Sequence, residues 1–375
     1  MTVKRLFKNP PDGCHMAYRN LFSATKGRAK EAREQCEQLW QNFHDLADKN
    51  FPDRFPFEFH QRWFEMYFGT SLRDANLDVS SPKPGPDFCV TVGGQPIFIE
   101  AIAPEAGHPQ HADHVPAPAY KDANGAPTVS QVPHSLITMR LAGAFHKKAG
   151  VYNRYRLKGH VPENAVCIIA INLRDIPHAW ADAQEFWFRA LYGVGDRFVT
   201  FNRDGSAAVE GRQYREFLQG SGGNTVDVAS LLSGNHADIS GVIGSSADAG
   251  NIRGPLGDDF ALMPQAQATF PFPAGFIGRG IEIKLRQAAE AGTWDVQTID
   301  HGGLDPQGPN SFTVEFKGES REVIWQVSGR ELSVRIAGRG STVPINRAID
   351  PEAMAKDIAT ELLHFYDSES RARRR

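Results

Sequence analysis

The chain has 375 residues, a formal net charge of -3, 41% hydrophobic residues, 35 glycines and 24 prolines. That length can hold two or three domains and a large core. The near-balanced charge excludes a histone-like or non-specific polyanion binder, so contact with nucleic acid has to come from a local patch.

Cys14, Cys36, Cys89 and Cys167 form no CxxC pair, which argues for reduced thiols and against a cysteine zinc site. No run approaches about 18 apolar residues, and the sequence MTVKRLFKNPPDG lacks an apolar leader segment. A cytoplasmic protein with no membrane association is expected.

Residues 24–49 carry Cys36, Leu39, Trp40, Phe43, Leu46 and Ala47 at helical spacing and predict an amphipathic packing helix. A second helix is expected after Pro52 and Pro56, over 57–68. Its apolar side holds Phe59, Trp63, Met66 and Tyr67, and Glu58, Arg62 and Glu65 form its other stripe. LDVSS at 77–81 reads as a short strand.

The stretch GPDFCVTVGGQPIFIEAIAP, 85–104, reads as a hairpin, because two β-branched and aromatic runs are joined by Gly93-Gly94 and a tight turn needs positive φ. With those glycines as the loop, Val92 pairs with Gln95, Phe88 with Ile99, and Asp87 stands opposite Glu100. Such directly opposed residues share a face with Cα atoms about 4.5 Å apart. Two like charges there repel, and a divalent cation reverses the sign of that interaction. Mg²⁺ favours one or two carboxylates together with waters and phosphate oxygens. A three-residue loop would put the two acids on opposite faces.

Residues 104–134, with many prolines and histidines, predict a long loop. His108, His111 and His114 sit in it at spacing three, but the surrounding prolines oppose a helix, and a flexible loop is the preferred reading. From 135 to 155, Leu141, Ala144, Phe145, Lys148, Tyr152 and Tyr155 mark one helical face, while Lys147 points about 100° away. AVCIIAIN, 165–172, is a continuous apolar run of the kind buried on both faces in a parallel arrangement.

A further helix is expected over 180–192, and 193–275 is Gly-rich with short strands. Beyond Pro273, SFTVEFKG, REVIWQVSG and ELSVRIAG alternate with period two and predict a three-stranded meander. That sheet is locally basic, with Lys317, Arg321, Arg330, Arg335 and Arg339. Asp350-Pro351 is expected to cap a closing helix over 351–366. The tail RARRR at 371–375 reads as a solvated end.

The order of helix with Glu65, strand, Pro86-Asp87, hairpin, Ile99-Glu100-Ala101, helix and buried strand resembles the PD-(D/E)xK nuclease superfamily, over about residues 56–175. The resemblance implies an α/β fold: a restriction-endonuclease-like mixed β-sheet core flanked by helices, here with a smaller C-terminal α+β domain. It divides the chain into an N-terminal helical segment, 1–55, a nuclease-like α/β domain, 56–275, and a C-terminal β-meander plus helix, 276–375.

The resemblance also implies Mg²⁺ or Mn²⁺ on Asp87 and Glu100, assistance from Glu65, and nucleic acid as partner, with DNA favoured over RNA. The superfamily's lysine stands two residues after the second acid, where this chain has Ile102. Some members supply it from the following helix, and Lys148 lies on the inward face of that helix. Two readings follow: a metal-dependent endonuclease with a relocated lysine, or a catalytically inactive module that keeps the fold for binding or assembly. A small-molecule hydrolase has no support, since the sequence contains neither GxSxG nor a Walker loop.

Overall fold

Gly93 and Gly94 have φ of 57° and 83°, values suited to a two-residue hairpin turn and open to glycine without strain. The register is the one the spacing predicts, with Val92 opposite Gln95, Val90 opposite Ile97 and Phe88 opposite Ile99. The structure, a computed structural model, describes residues 5–372 apart from 120, 122–124, 127–128, 130, 206, 221–222, 253, 274, 288–293, 303, 317–318, 330, 337–338 and 345–350.

Four helices come first: α1 (Met16–Ser23), α2 (Gly27–Phe43), α3 (Phe51–Arg54) and α4 (Phe59–Asp74). They are followed by β1 (Val79–Ser80), the hairpin strands β2 (Phe88–Val92) and β3 (Gln95–Ile102), α5 (His134–Leu157) and β4 (Val166–Asn172). Strands Gly241–Ser245, Ala261–Pro264, Ile281–Gln287 and Trp294–Asp300 extend the same sheet in that order beyond β4, to eight strands.

The sheet is mixed. β1, β2 and β3 pair antiparallel, β3 runs parallel to β4, and β4 runs parallel to Gly241–Ser245. A connection between parallel neighbours needs a crossover, and α5 provides it between β3 and β4. Every residue of β4 is buried, as its unbroken apolar run requires.

Period-two alternation along β3 separates the two faces. Ile97, Ile99 and Ala101 pack into a core with Trp40 and Phe43 of α2 and with Trp63, Phe64 and Phe68 of α4. Phe98 and Ile102 pack into a second core with Ile137, Leu141 and Phe145 of α5 and with the helix Ala183–Leu191. Burying each of the isoleucine, leucine and phenylalanine side chains contributes about 1.5–3 kcal/mol, so the two helical layers hold the sheet from both sides.

Close approach of α4 to the hairpin depends on Gly69. A Cβ there would stand 2.8 Å from a ring carbon of Phe43 and 2.9 Å from one of Phe88.

The first compact unit covers Met1–Ile299. The N-terminal helices pack into its core, the strands Ile281–Gln287 and Trp294–Asp300 continue its sheet, and the second unit covers Asp300–Arg375. That second unit is an antiparallel sheet of Leu304–Phe316, Glu319–Gly329, Glu331–Ile336 and Arg339–Pro344, with a helix, Pro351–Ala372.

Four strands stand where three are predicted. RGSTVP is short and lacks apolar alternation, and it is recruited by pairing, with Leu332 opposite Val343. Trp325, Val327, Leu332 and Val334 form the core with Ala355, Ala359 and Leu363 of the helix. Lys317, Arg330, the expected cap Asp350 and 373–375 lie outside the described residues. No helix among the described residues is long and apolar enough to cross a membrane.

Candidate active site

Asp87 sits just before β2, one residue beyond the last ladder pair, and its carboxylate takes over the pairing: the Ala101 N–H donates to Asp87 Oδ2 at 2.8 Å. By strand parity Asp87 faces the same side as Cys89, and Glu100 the same side as Phe98 and Ile102, which is the side covered by α5. Lys148 reaches down from α5 to both acids. Its Nζ lies 3.5 Å from Asp87 Oδ2 and forms a short ion pair with Glu100 Oε2. Lys147, next to it in sequence, is exposed.

Glu100 is 2% exposed. Its Oε2 is held by Lys148, and its Oε1 is buried with no hydrogen-bond partner. Burial, and then the negative charge of Asp87, push the Glu100 carboxyl up to about 7, with Lys148 acting in the opposite direction. Burial by itself would lower the Lys148 ammonium, but Asp87 and Glu100 outweigh it and the net shift is upward. The lysine therefore stays charged.

Glu65 approaches from α4. Although it belongs to the polar stripe of that helix, it is buried, because the helix is covered almost all the way round. Arg62 Nη1 donates to Glu65 Oε2 at 2.8 Å, and Arg62 Nε donates to Glu58 Oε2 at 2.9 Å. Burial and then Asp87 push Glu65 up to about 7, against the pull of Arg62 and Gln61.

Gln61 is a residue that sequence reasoning missed. Its Nε2 donates to Glu65 Oε1 at 2.9 Å and to the Ala101 carbonyl at 3.2 Å, while its Oε1 accepts from the Ala103 N–H at 2.8 Å. It ties α4 to the end of β3, beside Glu100. A polar residue between the predicted stripes of α4 was the only available signal.

Glu65, Asp87 and Lys148 line a cleft of about 1190 Å³, with Arg54, Arg140 and Lys147 among its other walls. Glu100 lies behind them. The arrangement brings together all four residues singled out from the sequence, drawn from α4, the hairpin and α5. The His108–His114 loop borders the same cleft through His111, but His108 and His111 are exposed and His114 bonds the Gly107 carbonyl through Nδ1 at 2.9 Å.

A second polar group went unnoticed in the sequence. His15, ahead of α1, His60 on the first turn of α4, and Asp175, after β4, converge at the C-terminal ends of β3 and β4. Burial pushes His60 down to about 4, with His15 adding to the effect. Burial, and then Glu105, push Asp175 up to about 7.

No family model, curated protein or solved structure matches this chain.

Proposed function

We propose that the first unit is a metal-dependent nuclease with a restriction-endonuclease-like core, hydrolysing phosphodiester bonds in nucleic acid, DNA in preference to RNA. The observation that carries this reading is the convergence of Asp87, Glu100 and Lys148, with Asp87 and Lys148 on the wall of a large cleft and Glu100 buried directly behind them. The order of α4, β2, β3, α5 and β4, with an acid on each hairpin strand end and a third on α4, supports it.

The donor set fits Mg²⁺ or Mn²⁺. It is all oxygen, and Glu100 Oε1, buried without a partner, is the kind of atom a cation would satisfy. Asp87 and Glu100 would hold the ion, which when bound supplies Lewis acidity and an activated water.

The chain's own residues do the rest. Lys148, kept charged by its two acids, stabilises negative charge building on a phosphate placed in the cleft. Gln61 fixes the backbone on both sides of Ile102 and holds the Glu65 carboxyl toward the site. Lys147, exposed on the cleft wall, is a cation open to a backbone phosphate, while Arg54 and Arg140 on the same walls are paired with Glu58 and Asp113.

A non-catalytic binding module is favoured by one observation: Lys148 is already engaged in ion pairs with both acids. One experiment separates the readings. Plasmid DNA and RNA are incubated with the protein, with and without Mg²⁺ or Mn²⁺. Cleavage that needs the metal and is lost in Asp87→Asn supports the enzyme, whereas binding without cleavage under every condition establishes the module.

A further inference from the structure

The His15, His60 and Asp175 side chains offer three ligand atoms that all lie within 4.8 Å of one another, and they are the one such group of three among the described residues. The geometry points to a transition-metal site of the zinc class here, with two imidazoles and one carboxylate as protein ligands and a fourth position left to water. It is separate from the Asp87–Glu100 pair and does not depend on the nuclease reading.

Ligands about 2.0–2.1 Å from a tetrahedral zinc stand about 3.3–3.4 Å apart. His60 Nε2 and Asp175 Oδ1 are 3.4 Å apart already. His15 is the ligand that has to close in. Its backbone is fixed, since its N–H donates to the Pro56 carbonyl at 2.8 Å. Its ring meets that of His60 edge-on at 4.9 Å between centroids and stacks with Phe59 at 6.0 Å.

Ligation has a proton consequence. The Ala17 N–H donates to His15 Nδ1 at 3.2 Å, which leaves the ring proton of the neutral imidazole on Nε2. Ligation through Nε2 moves that proton to Nδ1 and gives up the Ala17 bond. One cap hydrogen bond is exchanged for one metal bond.

The donor types select the metal. Two imidazole nitrogens and one carboxylate oxygen suit Zn²⁺ and its neighbours, whereas Mg²⁺ and Ca²⁺ take oxygen sets. The three ligands come from the segment before α1, from α4 and from the loop after β4, so a bound ion would clamp the N-terminal arm to the carboxyl ends of two parallel strands. All three residues are only partly buried, which leaves a route for the ion.

The test uses the full-length protein after treatment with a chelator. Titration with Co²⁺, a spectroscopic stand-in for Zn²⁺, is expected to give a visible absorption band that saturates at one equivalent, is displaced by Zn²⁺, and comes with a rise in Tm. His60→Gln and Asp175→Asn should each abolish the band. His111→Gln and Asp87→Asn should keep it, which separates this site from the exposed loop and from the hairpin acids. Circular dichroism on each variant distinguishes a lost ligand from a lost fold. Absence of a saturating band in the wild-type protein, or a full band in folded His60→Gln or Asp175→Asn, would overturn the assignment.

Discussion

Lys148 Nζ stands 3.5 Å from Asp87 Oδ2, so a helix delivers to the hairpin the cation that β3, with Ile102 in the expected place, does not carry. The hydrophobic spacing of α5 turns Lys148 inward, while Lys147 stays exposed on the cleft wall. Lys148→Ala is expected to reduce metal-dependent cleavage about a hundredfold or more, as for other single electrostatic stabilisers. Lys147→Ala should leave the rate at saturating DNA nearly unchanged. Single-turnover assays on both variants decide the point, and the reverse ranking would reassign the lysine.

Removing Lys148 should also cost stability. Its partner Glu100 is buried with one oxygen unsatisfied, and taking one member from a buried ion pair costs about 3–5 kcal/mol. Lys148→Met, which keeps the apolar stem, should lose that much in urea denaturation at pH 8 and less at pH 5, where a protonated Glu100 no longer needs a cation. Equal losses at the two pH values would contradict the position of Glu100 at about 7.

Metal binding should be visible as mass action on the folded state. Mg²⁺ or Mn²⁺ is expected to raise Tm in the wild-type protein and not in Asp87→Asn. The rise should be larger at pH 8 than at pH 6, because the ligating carboxyls must be deprotonated. Differential scanning fluorimetry across metal concentration checks this, and an identical shift in both proteins would remove the pair as the site.

Glu65 is held up to about 7, well above the value near 4.3 of an unperturbed glutamate. Between those values the folded state binds more protons than the unfolded chain, so this contribution to stability is present below about pH 4 and is lost as pH rises toward 7. Glu65→Gln should therefore show a shallower fall of Tm over that window than the wild-type protein, measured without divalent metal. Comparing the two proteins cancels the opposing slope from His60.

Gln61 offers a structural check. Its side chain bonds Glu65, the Ala101 carbonyl and the Ala103 N–H, and leaving such groups unpaired costs about 1–3 kcal/mol. Gln61→Ala should lower the denaturation midpoint by that order and reduce cleavage without removing the Tm response to Mg²⁺. Loss of the metal response would make Gln61 part of the ion site and not a brace for it.

The sequence by itself determined the hairpin and the phase of α5. Both follow from local rules: two glycines free to take positive φ favour the two-residue turn that the structure adopts, and a period of 3.6 residues puts Lys148 and not Lys147 on the buried stripe. β4 was legible for a similar reason, since an unbroken apolar run can only be buried on both faces. The tertiary structure alone decided the rest. Burial of Glu65, the bridging role of Gln61 and the meeting of His15, His60 and Asp175 all depend on contacts between segments far apart in the chain. Periodicity reports how a segment faces a core, but it carries no information about which other segment supplies the neighbour.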